Sequence, residues 1–121
     1  KDYAKRAPEE LCVLVQVETQ QGLDQIEAIC AIEGVDGVFI GPADLHASLG
    51  YTGETANPKV LPVIEEAVRR IRRAGKAPGI LTGVEADARR FLDAGALFVA
   101  VGADVAILAR GAEALAAKFR S

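Results

Sequence analysis

Four short, nearly continuous runs of apolar residues divide the chain, and they are rich in side chains that favour β-strands. They span residues 12–17, 37–40, 79–81 with their flanks, and 97–101. Each run is too short and too uniformly apolar for a strand with one face in water, whose side chains would alternate between apolar and polar. The pattern is typical of parallel strands buried on both faces, and we predict four of them.

The stretches between these runs carry apolar residues at the spacing of amphipathic helices. Before the third strand, Asn57 is a suitable helix N-cap, Pro58 suits the first turn, and Gly75 is well placed to end the helix. Its apolar stripe is Val60, Ile64, Ala67, Val68 and Ile71, and the basic residues of a solvated face at its end are Arg69, Arg70, Arg72 and Arg73. The other helices are predicted from Leu23, Ile26 and Cys30, from Val84, Ala88, Phe91 and Leu92, and from Leu108, Leu115 and Phe119.

This alternation of four strands and four helices predicts an α/β fold with a parallel sheet. Four βα units form either a small open sheet or half of a (β/α)₈ barrel, which has about 250 residues. Periodicity alone does not choose between the two. Residues 41–57 are predicted to be a long loop that contains the only histidine, His46, which we interpret as a loop residue. Long βα loops often carry function.

Composition narrows the class of protein. The chain has 121 residues, of which 50% are hydrophobic and 26% charged, and its net charge is −3. This is typical of a globular domain, and it lacks the basic patch and the aromatic residues that nucleic-acid binding uses. No apolar run reaches the ~20 residues that would span a membrane. Residues 1–10 do not resemble a signal peptide.

Cys12 and Cys30 match no metal or redox spacing. We interpret both as small core residues in a reducing compartment, and we expect a cytoplasmic protein. The sequence has no methionine, even at position 1. We therefore expect residues 1–121 to be a single partial domain, the C-terminal half of a larger one whose N-terminal half is absent.

Two carboxylates stand at the ends of neighbouring predicted strands. Glu18 follows the first run directly, and Asp44 follows the second after a short connector. The carboxyl ends of parallel strands meet at one rim, where ligands bind. Converging carboxylates repel each other unless a divalent cation lies between them, and an all-oxygen site suits Mg²⁺ or Mn²⁺. The alternative is that each residue only caps a helix or stabilises its first turn.

The segments around these residues resemble the HpcH/HpaI aldolase family, in particular its branch that cleaves 4-hydroxy-2-oxo acids. The similar segments are residues 15–19 (VQVET), 35–45 (VDGVFIGPADL), 75–81 (GKAPGIL) and 95–102 (GALFVAVG). The resemblance implies a (β/α)₈ barrel, a class II aldolase that uses Mg²⁺, Mn²⁺ or Co²⁺, and the release of pyruvate and an aldehyde. It also implies a hexamer whose subunits exchange the helix of residues 104–119, and a role in aromatic compound catabolism.

The resemblance also assigns roles to residues. Glu18 and Asp44 match the metal ligands of the family, and Gln16 matches the glutamine that reaches pyruvate. The backbone around Ala43 and Asp44 matches the amides that hold the pyruvate carboxylate, and Leu81 matches a pocket residue near the aldehyde.

Other family groups are missing from the sequence. The substrate-binding arginine and the catalytic histidine–acid pair belong to the first half of the barrel, and His46 does not replace them. The alternative for His46 is a minor supporting role beside Asp44, which is close to it in the sequence. We therefore predict no catalytic residue in this half, and we expect the segment alone to be inactive and to self-associate or be poorly soluble. The alternatives are a malyl-CoA or citramalyl-CoA lyase and a half barrel that only binds a small acid.

Overall fold

The computed structural model describes residues 2–120, in which four strands form one parallel sheet. The strands are β1 (Leu14–Val17), β2 (Gly37–Ile40), β3 (Ala77–Leu81) and β4 (Phe98–Ala100), and they lie side by side in the order of the sequence. All three pairings are parallel, and Val17 lies opposite Ile40 at the carboxyl ends of β1 and β2. The predicted α/β fold with four parallel strands is confirmed.

Seven helices accompany the strands in the described part of the chain. They are α1 (Tyr3–Glu10), α2 (Gln20–Asp24), α3 (Ile26–Cys30), α4 (Pro42–Ser48), α5 (Leu61–Arg73), α6 (Glu85–Asp93) and α7 (Asp104–Ala117). Helix α1 was not predicted. The single helix predicted after β1 is divided into α2 and α3 at Gln25, whose backbone leaves the helical region with φ −106° and ψ 9°.

The prediction that residues 41–57 form a loop is wrong for its first half. Gly41 has an extended backbone and is the N-cap of α4, and Pro42 occupies the first helical position, where its missing N–H has no intrahelical bond to make. The Gly-Pro pair therefore starts a helix. Asp44 lies in the first turn of α4, and His46 lies near its end.

The apolar stripe of α5 is buried, as predicted, and Gly75 ends that region with a positive φ of 80°. The predicted start is three residues too early, because α5 begins at Leu61. Asn57 still caps this turn: its side-chain oxygen accepts a bond from the amide of Lys59, and its carbonyl accepts bonds from Val60 and Leu61. Pro58 lies in the turn before the regular helix.

The two faces of the sheet differ in burial. One face packs against helices and contributes Val17, Val38, Ile40 and Ile80 to the core. The other face carries Leu14, Gln16, Phe39, Leu81 and Phe98, all exposed except the partly buried Phe39. Burial on both faces was predicted. Within residues 2–120, the large buried side chains of the strands lie on the helix-covered face, and on the other face only the glycines Gly37 and Gly79 are buried.

The two cysteines also differ. Cys30 is buried in the core, as predicted, whereas Cys12 is exposed. Cys12 lies before the first residue of β1, next to the exposed side chains of Leu11 and Val13. The prediction of a core position for Cys12 is therefore wrong.

Helix α7 has no buried residue, although it is rich in apolar side chains. The predicted stripe residues Leu108, Leu115 and Phe119 are exposed, as are Val105 and Ile107. In α6, Ala88 and Phe91 are buried, but Val84 and Leu92 of the predicted stripe are exposed. None of the helices within residues 2–120 combines the length and apolarity needed to cross a bilayer.

Candidate functional site

A cavity of about 350 Å³ lies at the carboxyl ends of β1, β2 and β3. Four predicted substrate-site residues line it together: Gln16, Ala43, Asp44 and Leu81. Parallel strands bring their carboxyl ends to one edge, which is why residues so far apart in sequence share one space. The remaining lining residues are Phe39, Gly41, Pro42, Thr55, Thr82, Gly83 and Val84.

Glu18 adjoins this cavity through Gln16. Glu18 follows β1 and is half-buried. The side-chain amide of Gln16 donates a hydrogen bond of 2.7 Å to Oε2 of Glu18. Residues two apart in a strand point to the same face, so Gln16 and Glu18 share the open face of the sheet. The amide thus orients one oxygen of the carboxylate and leaves the other available to a ligand.

Gly41 connects Glu18 to the helix that carries Asp44. A Cβ at Gly41 would lie 2.9 Å from Oε2 of Glu18 and 2.8 Å from Nε2 of Gln16. Real Cβ atoms essentially never approach other atoms so closely. The Gly41 amide also donates a 3.0 Å hydrogen bond to the carbonyl of Val17, which fixes the start of α4 against the end of β1. The absence of a side chain at Gly41 therefore makes room for the Glu18 carboxylate.

The first turn of α4 faces the cavity with Ala43 and Asp44. The first amides of a helix have no carbonyl partner inside it, and the helix dipole places partial positive charge there. The carboxylate of Asp44 is therefore favourable in this turn whether or not it binds a metal. The structural alternative named for Asp44, a first-turn acidic residue, describes its position correctly and is compatible with a ligand role.

Two side chains at this rim, Glu18 and Asp44, are the candidate metal ligands. Within residues 2–120, no group of three or more Asp, Glu, His or Cys side chains is arranged to hold a metal ion. Glu18 and Asp44 supply only oxygen donors, and Mg²⁺ is commonly held by one or two carboxylates together with water and substrate oxygens. The donor set fits a hard divalent cation of this kind.

His46 is fully buried, and it is the only buried polar or charged residue among those described. The interpretation of His46 as a loop residue is wrong, because the residue belongs to α4. Its Nδ1 lies 2.6 Å from the carbonyl oxygen of Pro42, and its Nε2 accepts a 3.0 Å hydrogen bond from the amide of Asn57. Sequence reasoning missed this role, because neither partner is identifiable from the residue type.

Thr55 and Thr82 are hydroxyl-bearing residues of the cavity that the sequence analysis did not single out. Thr82 directly follows β3, so the rule that identified Glu18 also applies to it. Its hydroxyl accepts a hydrogen bond of 3.2 Å from the amide of Val84. Thr55 lies in the connection between α4 and α5, where the sequence carries no comparable signal.

The arginine-rich end of α5 lies outside this cavity and forms ion pairs on an exposed face, in agreement with its interpretation as a solvated face. Nε of Arg70 donates a 2.7 Å hydrogen bond to Glu27 of α3. This bond is the main reason why the pKa of the Glu27 carboxyl falls from 4.5 to about 2. Hydrogen bonds from Arg90 and Arg73 lower the pKa values of Glu65 and Glu66 in the same way.

The chain is similar in sequence to proteins of one known family. The family model described as HpcH/HpaI aldolase/citrate lyase matches residues 2–111. A protein of Shigella sonnei (strain Ss046) named 4-hydroxy-2-oxo-heptane-1,7-dioate aldolase is 56% identical over 118 residues, which are 98% of this chain and 45% of that protein. The chain thus spans less than half the length of this curated relative.

Two solved structures share the fold along the whole described chain. A HpcH/HpaI aldolase/citrate lyase family protein from Burkholderia cenocepacia J2315 has a TM-score of 0.88 and 40% identity, over 100% of this chain and 47% of that one. A HpcH/HpaI aldolase from Desulfitobacterium hafniense DCB-2 has a TM-score of 0.80 and 27% identity, over 99% of this chain and 47% of that one. The four βα units therefore correspond to about half of each of these barrel-type chains.

Proposed function

The chain belongs to the HpcH/HpaI aldolase/citrate lyase family, and we propose that it carries the metal-binding half of the active site of a class II aldolase. The proposed substrate is a 4-hydroxy-2-oxo acid, and the products are pyruvate and an aldehyde. The Shigella sonnei relative named 4-hydroxy-2-oxo-heptane-1,7-dioate aldolase supports this choice of substrate class. The complete enzyme is proposed to contain a further half barrel, since this chain spans 45% of that relative.

One observation carries the proposal. Glu18 and Asp44 follow the adjacent paired strands β1 and β2, and Gln16 binds Glu18 while lining the same cavity as Asp44. A carboxylate pair at the carboxyl rim of a parallel sheet is a suitable site for a divalent cation and an acidic substrate. The proposal assigns Glu18 and Asp44 as the protein ligands of Mg²⁺, Mn²⁺ or Co²⁺.

The residues around the cavity are proposed to bind different parts of the substrate. Gln16 donates a 2.7 Å hydrogen bond to Oε2 of Glu18 and lines the cavity, and it is proposed to contact the pyruvate half of the substrate. The amides of Ala43 and Asp44, in the first turn of α4, are proposed to bind the pyruvate carboxylate. Leu81, which is 42% exposed at the end of β3, is proposed to contact the aldehyde half.

Retro-aldol cleavage removes the proton of the 4-hydroxyl, breaks the C3–C4 bond and passes its electron pair to the pyruvate half. A bound divalent cation would supply Lewis-acid stabilisation of the charge that develops on the 2-oxo group. The base that takes the 4-hydroxyl proton is proposed to lie in the other half of the barrel. His46 is not a candidate, because it is buried and both of its ring nitrogens face backbone groups.

The direct test uses a chimera in which the uncovered part of the Shigella sonnei relative precedes this chain. We expect pyruvate release from 4-hydroxy-2-oxoheptane-1,7-dioate with Mn²⁺, and none with EDTA. Glu18→Gln and Asp44→Asn should each abolish turnover. Glu33→Gln changes an exposed residue before the amino end of β2, so it should leave turnover intact. Undiminished Mn²⁺-dependent turnover in Glu18→Gln would remove the ligand assignment.

The same chimera distinguishes the aldolase activity from the two alternative functions, a CoA lyase and a half barrel that only binds a small acid. Cleavage of malyl-CoA or citramalyl-CoA without cleavage of the free 4-hydroxy-2-oxo acid would support the CoA-lyase branch instead. Binding of Mn²⁺ and pyruvate with no cleavage of either substrate would support a half barrel that only binds a small acid. The 121-residue chain by itself is proposed to be inactive, because it lacks the base and the arginine expected from the resemblance.

The assembly proposed from the family resemblance is a hexamer in which subunits exchange α7. It is supported by the exposure of apolar side chains along that helix, which has no buried residue in the isolated chain. Ile107→Glu with Leu108→Glu should shift the chimera to smaller species in sedimentation. A double variant that sediments like the parent would argue against exchange of α7. The expected cytoplasmic location remains a prediction.

A further inference from the structure

The buried ring of His46 joins two parts of the chain, one four residues before it and the other eleven residues after it. One is Pro42, at the start of α4, and the other is Asn57, before α5. Because Nε2 accepts a hydrogen bond from the Asn57 amide, it carries no proton, and the ring proton lies on Nδ1. Nδ1 then donates to the Pro42 carbonyl at 2.6 Å. The geometry therefore selects one tautomer and uses both nitrogens.

The connection between these two points is held at several places. The Tyr51 amide donates a 2.8 Å bond to the carbonyl of His46, and the Asn57 side chain donates a 2.7 Å bond to Glu54. Leu49 and Tyr51 pack against the core, whereas residues 52–56 are exposed. Gly50 and Gly53, with φ of 89° and 84°, provide turns that other residues rarely adopt. The segment is thus a compact loop whose far end is held by His46.

This loop brings Thr55 to the cavity that Asp44 and Leu81 also line. Pro42, the other partner of the His46 ring, lines the cavity too. The ring therefore sets the position of the loop relative to the first turn of α4. Loss of the Asn57 bond would release the loop near Thr55 while leaving α4 in place.

We propose that His46 is a positioning residue that holds Thr55 over the cavity, and that Thr55 contacts the aldehyde half of the substrate. The proposal rests on the proposed aldolase function. Thr55 is a specificity-determining residue in this arrangement, because its hydroxyl is a hydrogen-bonding group among apolar lining residues such as Leu81 and Val84. A purely structural His46 would satisfy buried backbone groups without influencing substrate binding.

Two matched variants separate the two bonds of the ring. His46→Gln keeps an acceptor near the Nε2 position for the Asn57 amide, whereas His46→Asn keeps a donor near the Nδ1 position for Pro42 and loses that acceptor. In hydrogen exchange of the chimera, His46→Asn should speed exchange of the Asn57 amide by about fivefold to tenfold, the range for one lost hydrogen bond. His46→Gln should stay within about twofold of the parent. Equal acceleration in both variants would overturn the bridge.

Kinetics of the same chimera test the role of Thr55. His46→Asn and Thr55→Ala should each raise KM for 4-hydroxy-2-oxoheptane-1,7-dioate about fivefold with kcat changed less than about twofold, the pattern of lost uniform binding. The double variant should show no additional increase, because both changes remove one contact. His46→Gln, which keeps the acceptor for the Asn57 amide, should leave KM at the value of the parent chimera.

A fall in kcat at unchanged KM would mean that His46 only maintains the folded fraction, and it would overturn the proposal. If the parent chimera cleaves no substrate while Asn57 exchange still separates the two His46 variants, the aldolase function fails and the substrate role of Thr55 with it. In that case the exchange data would assign His46 a structural bridge alone.

Discussion

Phe39 on β2 and Phe98 on β4 meet across the strand between them, with ring centroids 5.8 Å apart and ring planes tilted by 51°. Gly79 of β3 pairs with both residues and has no side chain to separate the rings. Tilted aromatic pairs at this distance are favourable. The contact joins three strands on the open face of the sheet, which no helix within residues 2–120 covers.

Gly79→Ala should therefore destabilise the chain. The new Cβ would lie 2.8 Å from Cδ2 of Phe39 and 3.3 Å from both Cδ1 and the carbonyl oxygen of Phe98. Overpacking of this kind costs about 1–3 kcal/mol, which exceeds the entropic gain of replacing glycine. Urea unfolding followed by circular dichroism measures the change. Gly111→Ala is the matched control, since nothing lies within 4 Å of its Cβ, and it should be neutral or slightly stabilising.

Gly41→Ala should weaken metal binding without disrupting the fold. The Cβ would lie 2.9 Å from Oε2 and 3.0 Å from Cβ of Glu18, so the whole Glu18 side chain must move. The φ of Gly41 is −89°, which suits alanine, so the backbone itself is not strained. Loss of a supporting contact to a metal ligand typically lowers affinity about 10–100-fold. Mn²⁺ titration of the chimera by electron paramagnetic resonance provides the measurement.

Gly83→Ala is the control for this experiment, because Gly83 lines the same cavity and has no atom within 4 Å of its Cβ. It should bind Mn²⁺ like the parent. Equal weakening in both variants would attribute the effect to the cavity as a whole, and unchanged affinity in Gly41→Ala would argue against Glu18 as a ligand.

The ion pair of Glu27 and Arg70 should make stability depend on acid pH. The pKa of Glu27 is about 2 in the folded chain, below its ordinary value of 4.5. A carboxyl group with a lowered pKa stabilises the folded state at pH values above its ordinary pKa of 4.5. This contribution is lost as the pH falls from 4.5 to about 2. The difference in unfolding midpoint between the parent and Glu27→Gln should shrink across that interval.

High salt should reduce this difference at neutral pH, because the side chain of Glu27 is 61% exposed and exposed pairs are screened. Glu33→Gln, another exposed substitution, should show no such pH-dependent difference. The unfolding midpoint of each protein is measured from about pH 2 to about pH 6, a range that includes both pKa values. If the midpoints of Glu27→Gln and the parent change in parallel over this range, the prediction is contradicted.

The two cysteines should react at different rates with an aromatic disulfide reagent. Cys12 is exposed, whereas burial raises the pKa of the Cys30 thiol and shields its sulfur. At mildly alkaline pH we expect one thiol to react at least about tenfold faster than the other, since reactivity follows thiolate fraction and access. Cys12→Ser should remove the fast phase, and denaturant should expose the slow one. If both thiols react with the reagent in a single kinetic phase, the core must open around Cys30.

Much of the site could be predicted because strand periodicity locates strand ends. Glu18 follows β1 directly, and that position places it at the rim regardless of what the helices do. The cavity brings Gln16, Asp44 and Leu81 together at this rim. Their roles as ligands and substrate contacts stay predictions.

The features that the sequence did not reveal depend on tertiary contacts. The Gly-Pro pair at Gly41 is typical of a turn, and only the docking of Gly41 against Val17 makes it the start of α4. His46 carries no local signal, because its ring bonds the backbone of Asn57 in a different segment. Cys12 has apolar neighbours in the sequence, which suggested a core position, but it precedes β1 and is exposed. In each case the surroundings in the fold, and not the residue type, determine the environment of the side chain.

The consecutive order of the strands has a consequence for how the chain is made. Each of β2, β3 and β4 pairs with the strand that comes just before it in the sequence. A ribosome synthesises the chain from its N terminus, so every one of these strands emerges after its hydrogen-bonding partner. Short separations between pairing strands also favour rapid folding. For the described strands, the order of synthesis and the order of sheet growth can therefore be the same.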